Sequence, residues 1–236
     1  MARLRRKSSW LRRARRWATI LVLAFVLVTT ASVLALRWID PPLTMFMLLD
    51  DAGRDPVAHR WADATGISAS LAFAVVASED QKFPTHFGFD LDSIRDSIEA
   101  GADGEPVRGA STITQQVAKN LFLWRGRSYL RKALEAYLTV LLEATLSKQR
   151  ILEIYLNVAE FGPGTYGAAA ASERFFGKGP KALTDAEAAL LAAVLPNPKV
   201  LSAARPSGYV RQRQLWILGQ MQRLRRDGAL RALDWT

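Results

Sequence analysis

The apolar positions of this chain form one long uninterrupted run near its start and a series of amphipathic segments beyond it. Residues 18–36 carry no charge, and Trp17 and Trp38 flank them as interfacial aromatic residues do. As a helix the run would be roughly 28 Å long, about the hydrocarbon thickness of a bilayer. The pattern therefore predicts a single transmembrane anchor over residues 17–38.

The same run could also belong to a cleaved signal peptide or to a buried core helix. Signal-peptide apolar cores are usually about 7–15 residues long and end at a small-x-small cleavage site. This run is longer, and residues 33–35 (VLA) match such a site poorly. A core helix would not need the cluster of cations that precedes residue 17. An uncleaved anchor is therefore the favoured interpretation.

Beyond residue 40 the apolar residues recur at helical spacing. Ile113, Val117 and Leu121 recur every fourth residue, which is the stripe of an amphipathic helix. Similar patterns predict helices over 68–78, 112–124, 131–147, 148–159 and 209–224. Residues 184–187 (TDAE) form a capping box that opens a further helix, which ends before Pro196. Few runs alternate with period two, so we expect an all-α fold.

These elements divide the chain into five parts. They are a basic tail over 1–16, the anchor over 17–38, a linker and membrane-proximal segment over 39–64, one all-α domain over 65–224, and a C-terminal tail over 225–236. Within the linker, apolar residues 43–50 fit either a helix on the membrane surface or the first core helix.

The charge distribution adds an orientation to the predicted anchor. The 236 residues carry a net charge of +10, from 32 basic and 22 acidic side chains. Eight basic residues and no acidic one lie in residues 1–16, so the positive-inside rule predicts a cytoplasmic tail and an extracytoplasmic domain. The remainder is nearly neutral without a basic-aromatic pattern, which argues against nucleic-acid binding.

Cysteine and histidine usage limits the chemistry. The absence of cysteine excludes a disulfide framework, a Cys-ligated zinc site and a thiol nucleophile. Two histidines give little basis for a His-rich metal centre.

The first candidate cluster is Glu79 and Asp80, at the end of an apolar helix and followed by a Pro- and Gly-containing loop with His86. Partial burial at such a cleft edge would raise a carboxyl pKa and give a usable general base. Acidic residues at a helix end are also common on ordinary surfaces, so the spacing alone leaves both interpretations open.

The second cluster opens a helix with Ser111 and Thr112, followed by Gln115, Gln116 and Lys119. Backbone N–H groups at a helix start favour an anion. Thr112 and Gln115 also have the spacing of a capping box, which explains the same residues structurally.

The third cluster places Arg127 and Arg131 before Glu135, with Arg131 and Glu135 four residues apart on a helix. This spacing is more commonly that of a surface ion pair; the functional interpretation is a cationic clamp for a diphosphate, ordered by a carboxylate. A fourth segment, residues 148–157, has mainly core-forming residues.

In this order behind an anchor, the motifs resemble those of the monofunctional biosynthetic peptidoglycan glycosyltransferases of glycosyltransferase family 51. The matching segments are EDQKFPTHFGFD (79–90), RGASTITQQVAKNLFL (108–123), RKALE (131–135), LSKQRILEIYLNVAEFGPGTYG (146–167) and EAALLAAVLPNP (187–198). Together they cover residues 65–200 approximately.

The resemblance implies an all-α, lysozyme-like domain that polymerises lipid II into β-1,4 glycan strands, with inversion and release of undecaprenyl diphosphate. It makes Glu79 the general base and Glu135 a second catalytic carboxylate near the leaving diphosphate. Further substrate-site residues would be Asp80, His86, Ser111, Thr112, Gln115, Gln116, Lys119, Arg127 and Arg131. Of these, Asp80 and His86 are expected to hold the Glu79 loop rather than react.

The resemblance also implies partners and a location. We expect contacts with lipid II, the growing glycan strand and membrane lipids, no nucleic acid, and a transpeptidase or division-machinery partner. The domain would lie outside the bacterial cytoplasmic membrane. No cofactor or protein metal site is expected, although a divalent cation such as Mg²⁺ or Mn²⁺ could bridge the diphosphate to Glu79 or Glu135. A peptidoglycan-cleaving lysozyme-like enzyme and a non-enzymatic scaffold are the alternatives.

Overall fold

The chain divides into two units, Met1–Ile39 and Asp40–Thr236. A computed structural model describes residues 2–50, 57–102, 111–126, 128–226, 228, 233 and 235, with side chains from residue 10 onward except that of residue 98. The segments outside these ranges include Arg127, one of the predicted site residues.

The first unit contains one long helix, α1 (Ala2–Ala35), which continues from the basic tail into the apolar run. Its portion Trp10–Ala35 is long and apolar enough to cross a membrane by length and composition. Its hydroxyl groups do not interrupt the helix: Thr29 Oγ1 donates to the Phe25 carbonyl and Ser32 Oγ to the Val28 carbonyl, each at 2.8 Å. Polar groups satisfied within the helix are compatible with an apolar environment.

The second unit is built mainly from helices. In chain order its elements are α2 (Met45–Leu48), β1 (Ala58–His59), α3 (Ala69–Glu79), α4 (Leu91–Ala102), α5 (Ile113–Phe122), α6 (Tyr129–Thr145), α7 (Lys148–Val158), β2 (Glu160–Gly162), β3 (Thr165–Tyr166), α8 (Gly167–Phe176), α9 (Asp185–Val194) and α10 (Gly208–Arg226). Short 3-10 turns at Ala64–Gly66 and Pro180–Ala182 connect some of them.

One part of the core is formed where α9 packs against both α3 and α10. Helix α3 buries six residues between Leu71 and Ala77, so nearly its whole circumference is enclosed. Alanines dominate the buried positions of α9, which lets neighbouring helices approach closely. Because α3 is held on several sides, the residue at its C-terminal end, Glu79, has a fixed position.

The other part of the core is formed where α5 packs against α6 and α7, and α7 against α8. Short strands in the order β1-β3-β2 join this part, with β1 and β3 parallel and β2 and β3 antiparallel. Gly167 begins α8 with φ +84°, and a Cβ there would lie 2.6 Å from the Asn157 carbonyl oxygen, so this junction requires glycine.

The predicted all-α class and the single long N-terminal apolar helix are both confirmed. The helices expected from periodicity are present, with ends that differ by no more than two residues, and the capping boxes at Thr112 and Thr184 are both formed. Helices α4 and α8 and the small sheet were not predicted. In the 43–50 segment, Met47 is buried, whereas Leu43, Leu48 and Leu49 are exposed. The five-part division of the chain stays a prediction.

Candidate active site

Glu79 is the last residue of α3, and its carboxylate faces a cleft. Gln116 Nε2 donates to Glu79 Oε2 at 3.0 Å, and Ser78 Oγ donates to Oε1 at 3.3 Å. Arg213 of α10 lies on the other side, with Nη2 3.5 Å from Oε1. The Glu79 side chain is 13% exposed, so the carboxylate remains reachable while largely removed from water.

Burial raises the pKa of the Glu79 carboxyl above its ordinary value, because charging it in this position costs solvation energy. The hydrogen bonds from Gln116 and Ser78 and the charges of Arg213 and Lys119 act in the opposite direction without cancelling the rise. A carboxylate with a raised pKa, held by hydrogen bonds at a cleft, has the properties of a general base.

The Gln116 amide is itself oriented by a second hydrogen bond. Tyr155 of α7 donates its hydroxyl to Gln116 Oε1 at 3.1 Å, which orients the amide so that its NH₂ group faces Glu79. Burial raises the pKa of Tyr155 well above its ordinary value of 10.0, so the hydroxyl stays protonated and remains a donor. Glu79, Gln116 and Tyr155 thus form one hydrogen-bonded chain through three helices.

Asp80 and His86 hold the loop after Glu79. His86 Nε2 lies 2.8 Å from Asp80 Oδ1, and Asp80 Oδ2 accepts a hydrogen bond from the Ile113 backbone N–H at 3.0 Å. Both side chains are buried, at 9% and 2% exposure. Asp80 therefore connects the end of α3 to the start of α5, and it positions Glu79 relative to Gln116.

A glycine completes this loop. Gly88 has φ +75°, and a Cβ there would lie 2.6 Å from Thr139 Cγ2 on α6. Its carbonyl accepts a hydrogen bond from Thr112 Oγ1 at 2.7 Å. The loop can therefore lie directly against α6 only because residue 88 has no side chain.

Thr112 and Gln115 have a structural role. Thr112 Oγ1 accepts from the Gln115 N–H at 3.3 Å, and Gln115 Oε1 accepts from the Thr112 N–H at 3.0 Å. Both side chains are buried, whereas Ser111 just before them is exposed. Substrate contacts by these three residues stay a prediction.

Glu135 lies in a cationic cluster on α6. Arg131 Nη1 donates to Glu135 Oε2 at 2.7 Å, and Lys132 Nζ donates to Glu135 Oε1. The Glu135 side chain is only 3% exposed, so this is a buried pair, unlike the surface ion pair that the same spacing often produces. Arg131 Nε is buried and has no hydrogen-bond partner among the residues that the structure describes. The cluster combines one anion with two cations and keeps a net positive charge.

Lys119 on α5 lies within electrostatic range of both carboxylates. Burial lowers its pKa, as does the repulsion of Arg131 and Lys132, while the charges of Glu135 and Glu79 raise it. Its Nζ lies 5.5 Å from the centre of the Phe46 ring, a cation–π contact with α2. Lys119 is therefore a partly desolvated cation that interacts electrostatically with both acidic residues.

Glu79 lies where two cavities meet. Ser78, Glu79 and Ser111 line both. One, of about 290 Å³, extends towards Asp80, Lys82 and Asp90. The other, of about 930 Å³, extends towards Lys119 and α10. A carboxylate with a cavity on each side can act between two bound molecules.

The described residues do not form a protein metal site, since no group of three or more of their His, Asp and Glu side chains could hold an ion. Both oxygens of Glu135 already accept hydrogen bonds from cations. A divalent cation acting here would depend on substrate oxygens for most of its ligands.

Several residues near the site were not found from the sequence. Tyr155 and Lys132 lie inside the matched motifs, and Arg213 lies in the predicted helix over 209–224, but the sequence assigns none of them a role in the site. The predicted residues Glu79, Gln116 and Lys119 line the larger cavity together, and Asp80 lies beside Glu79. Arg127 lies outside the described residues.

Comparison with known proteins gives a consistent result. A family model described as transglycosylase matches residues 48–222. A protein of Xanthomonas campestris pv. campestris (strain B100) named biosynthetic peptidoglycan transglycosylase is 50% identical over 228 residues, covering 94% of this chain and 93% of that protein. Proteins of the same name are 50% identical in Shewanella oneidensis, over 88% of this chain and 91% of the relative, and in Aeromonas hydrophila, over 86% and 88%.

Proposed function

The chain belongs to the peptidoglycan transglycosylase family, and from that premise we propose that it polymerises lipid II into β-1,4 glycan strands, with Glu79 as general base. The observation that supports this most directly is the position of Glu79, a buried carboxylate with a raised pKa at the junction of two cavities. Joining two glycosyl units requires room for a donor and an acceptor, with the base beside the acceptor hydroxyl.

In the proposed step, Glu79 takes the proton from the 4-hydroxyl of the acceptor GlcNAc. The resulting oxygen nucleophile attacks the anomeric carbon of the donor MurNAc, at the reducing end of the growing strand. The bond from that carbon to the diphosphate oxygen breaks as the new glycosidic bond forms, and the configuration at the carbon inverts. Undecaprenyl diphosphate leaves with the bonding electron pair.

The leaving diphosphate needs stabilisation of negative charge more than it needs a proton. Lys119 and Arg131 are the candidates among the described residues, and the resemblance adds Arg127. Glu135 orders this cluster through its hydrogen bonds from Arg131 and Lys132. Preorganised cations in a site with little water stabilise a departing anion strongly.

The proposal includes a location for the reaction. The apolar portion of α1 would anchor the chain in the bacterial inner membrane, with the basic tail in the cytoplasm and the domain outside. That side of the membrane is where lipid-linked glycan units would be joined. A transpeptidase or division-machinery protein is the protein partner that we propose for this chain.

A direct assay tests the proposal. Full-length protein in detergent is incubated with lipid II, and in parallel with isolated sacculi, and products are separated by gel electrophoresis and chromatography. We expect glycan polymers and undecaprenyl diphosphate from lipid II, none from Glu79→Gln, and no soluble fragments from sacculi. Release of fragments from sacculi without consumption of lipid II would instead favour a peptidoglycan-cleaving enzyme.

A further inference from the structure

Helix α10 presents a separate polar and aromatic face to the larger cavity. Tyr209, Gln212, Arg213 and Trp216 all line it. Gln212, Arg213 and Trp216 follow Tyr209 by three, four and seven residues, which places all four on one side of the helix. The sequence did not predict this face, because residues 209–224 were identified only as a helix.

The two aromatic rings of this face do not belong to the protein core. Helix α10 buries Val210, Ile217 and Met221 on another side, whereas Tyr209 is 57% exposed and Trp216 is 46% exposed. Exposed aromatic rings beside amide and guanidinium groups in a cavity are typical of a ligand site.

We propose that Tyr209 and Trp216 form a stacking surface for the pyranose rings of the glycan substrate, and that Gln212 hydrogen-bonds their hydroxyl groups. This inference rests on the proposed function and adds the saccharide-binding residues to it. A pyranose has a face of C–H groups and a rim of hydroxyls, which match a flat aromatic ring next to an amide. Seven residues of helix separate the two rings by roughly 10 Å along the axis, comparable with a disaccharide.

The polyprenyl chain of the substrate is the other ligand that aromatic residues could bind. The same cavity is lined by the Glu79 carboxylate, Lys119 and Arg213. An alkyl chain bound there would displace water from these charged groups and offer them no hydrogen bond in return, which costs free energy, whereas sugar hydroxyls can hydrogen-bond them. The composition of the cavity therefore favours the saccharide.

Substitutions at residue 216 separate the two ligands. Trp216→Leu keeps an apolar side chain but removes the ring, and Trp216→Phe keeps a ring. We expect Trp216→Leu to raise the KM for lipid II about fivefold with kcat nearly unchanged, and Trp216→Phe to restore most of the affinity. Leu215→Ala is the matched control, because Leu215 is 68% exposed on the same helix and does not line the cavity.

A second measurement does not depend on catalysis. Binding of a soluble GlcNAc–MurNAc tetrasaccharide to the full-length protein in detergent is followed by ligand-observed NMR, with the same variants. Weaker binding to Trp216→Leu than to wild type supports the inference, even if wild type fails to polymerise lipid II and the proposed function is wrong. An unchanged KM together with unchanged tetrasaccharide binding in Trp216→Leu overturns it. A raised KM in Trp216→Ser together with an unchanged KM in Trp216→Leu also overturns the inference, because it would indicate that residue 216 contacts the polyprenyl chain.

Discussion

Gln116 donates a hydrogen bond from Nε2 to Glu79 Oε2 across 3.0 Å, so an amide on α5 fixes the carboxylate at the end of α3. The amide has a second fixed contact, because its Oε1 accepts from Tyr155. An amide without that second contact could rotate and present its oxygen to the carboxylate, which would repel it. The direction of the Glu79 carboxylate therefore depends on a residue that does not touch it.

This arrangement predicts a catalytic effect for Tyr155→Phe. Removing the hydroxyl deprives Gln116 Oε1 of its donor and allows the amide to turn. We expect kcat for lipid II polymerisation to fall about tenfold, equivalent to roughly 1.4 kcal/mol, with KM changed less than about twofold. Steady-state kinetics on both proteins make the comparison.

Tyr129→Phe serves as its control, because Tyr129 is 98% exposed at the start of α6. It should have the kcat and KM of wild type. A Tyr155→Phe protein with unchanged kcat would show that Gln116 needs no support from α7.

The pKa values of Glu79 and Lys119 predict the pH dependence of the reaction. Burial raises the pKa of Glu79 above its ordinary 4.5, so activity that needs the carboxylate should fall on acidification at a pH above that value. Burial lowers the pKa of Lys119 below its ordinary 10.5. As the pH is raised, activity that needs the cation should therefore be lost at a pH below that value. A plot of kcat/KM against pH should be bell-shaped, with its acid limb above pH 4.5 and its alkaline limb below pH 10.5.

Lys119→Arg separates the two limbs. The guanidinium stays protonated throughout the accessible pH range. The alkaline limb should therefore move to higher pH, while the acid limb remains in place. If the alkaline limb does not move, another group is responsible for it.

How much of this site the sequence predicted depends on the range of each interaction. Glu79 could be identified because an apolar helix ends there, five residues before Pro84, and the capping box of Thr112 and Gln115 is local. The contact from Arg213 joins residues far apart in the chain, and no periodicity reports such a contact. Tyr155 was part of an apolar stripe, where a core aromatic residue and a supporting hydroxyl have the same pattern.

The fold, like the site, was predicted from the sequence only where the pattern is local and long enough to repeat. The long helices α6 and α10 have enough turns for a repeated pattern, and they were predicted. The strands β1 and β3 are two residues long, which is too short for an alternation with period two to be recognised. Their pairing is determined by packing around α8 and not by local sequence preference.

The raised pKa of Glu79 also predicts a stability effect. A carboxyl whose pKa is higher in the folded state than in the unfolded state stabilises the fold at low pH. This contribution is lost as the pH rises and the carboxyl becomes ionised in both states. Glu79 should therefore destabilise the fold at neutral pH. We expect Glu79→Gln to have a higher Tm than wild type at pH 7.5, although it is inactive.

The pH dependence of that difference distinguishes charge from packing. Below about pH 4.5 the carboxyl is protonated in both states, and the Tm advantage of Glu79→Gln should disappear. The advantage should increase as the pH rises through the raised pKa and then remain constant. Thermal denaturation in detergent, repeated across pH, measures it, and a constant advantage at every pH would contradict this explanation.

Gly88→Ala is expected to destabilise the loop that follows Glu79. Two costs contribute: the positive φ of +75°, and a Cβ 2.6 Å from Thr139 Cγ2. Gly164→Ala isolates the first cost, because Gly164 has φ +63° with open space around its Cβ position. We expect Gly88→Ala to lose about 1–3 kcal/mol more stability than Gly164→Ala.

A double-mutant cycle tests whether the methyl group of Thr139 is the cause. Thr139→Ser removes Cγ2 and keeps the hydroxyl that donates to the Glu135 carbonyl at 2.7 Å. Combined with Gly88→Ala, it should recover about 1 kcal/mol relative to the sum of the single changes. Additive losses would mean that the Cβ clashes elsewhere, with Glu143 Cγ at 3.0 Å as the next neighbour. Because this loop leads directly from Glu79, polymerisation activity should recover together with stability in the double variant.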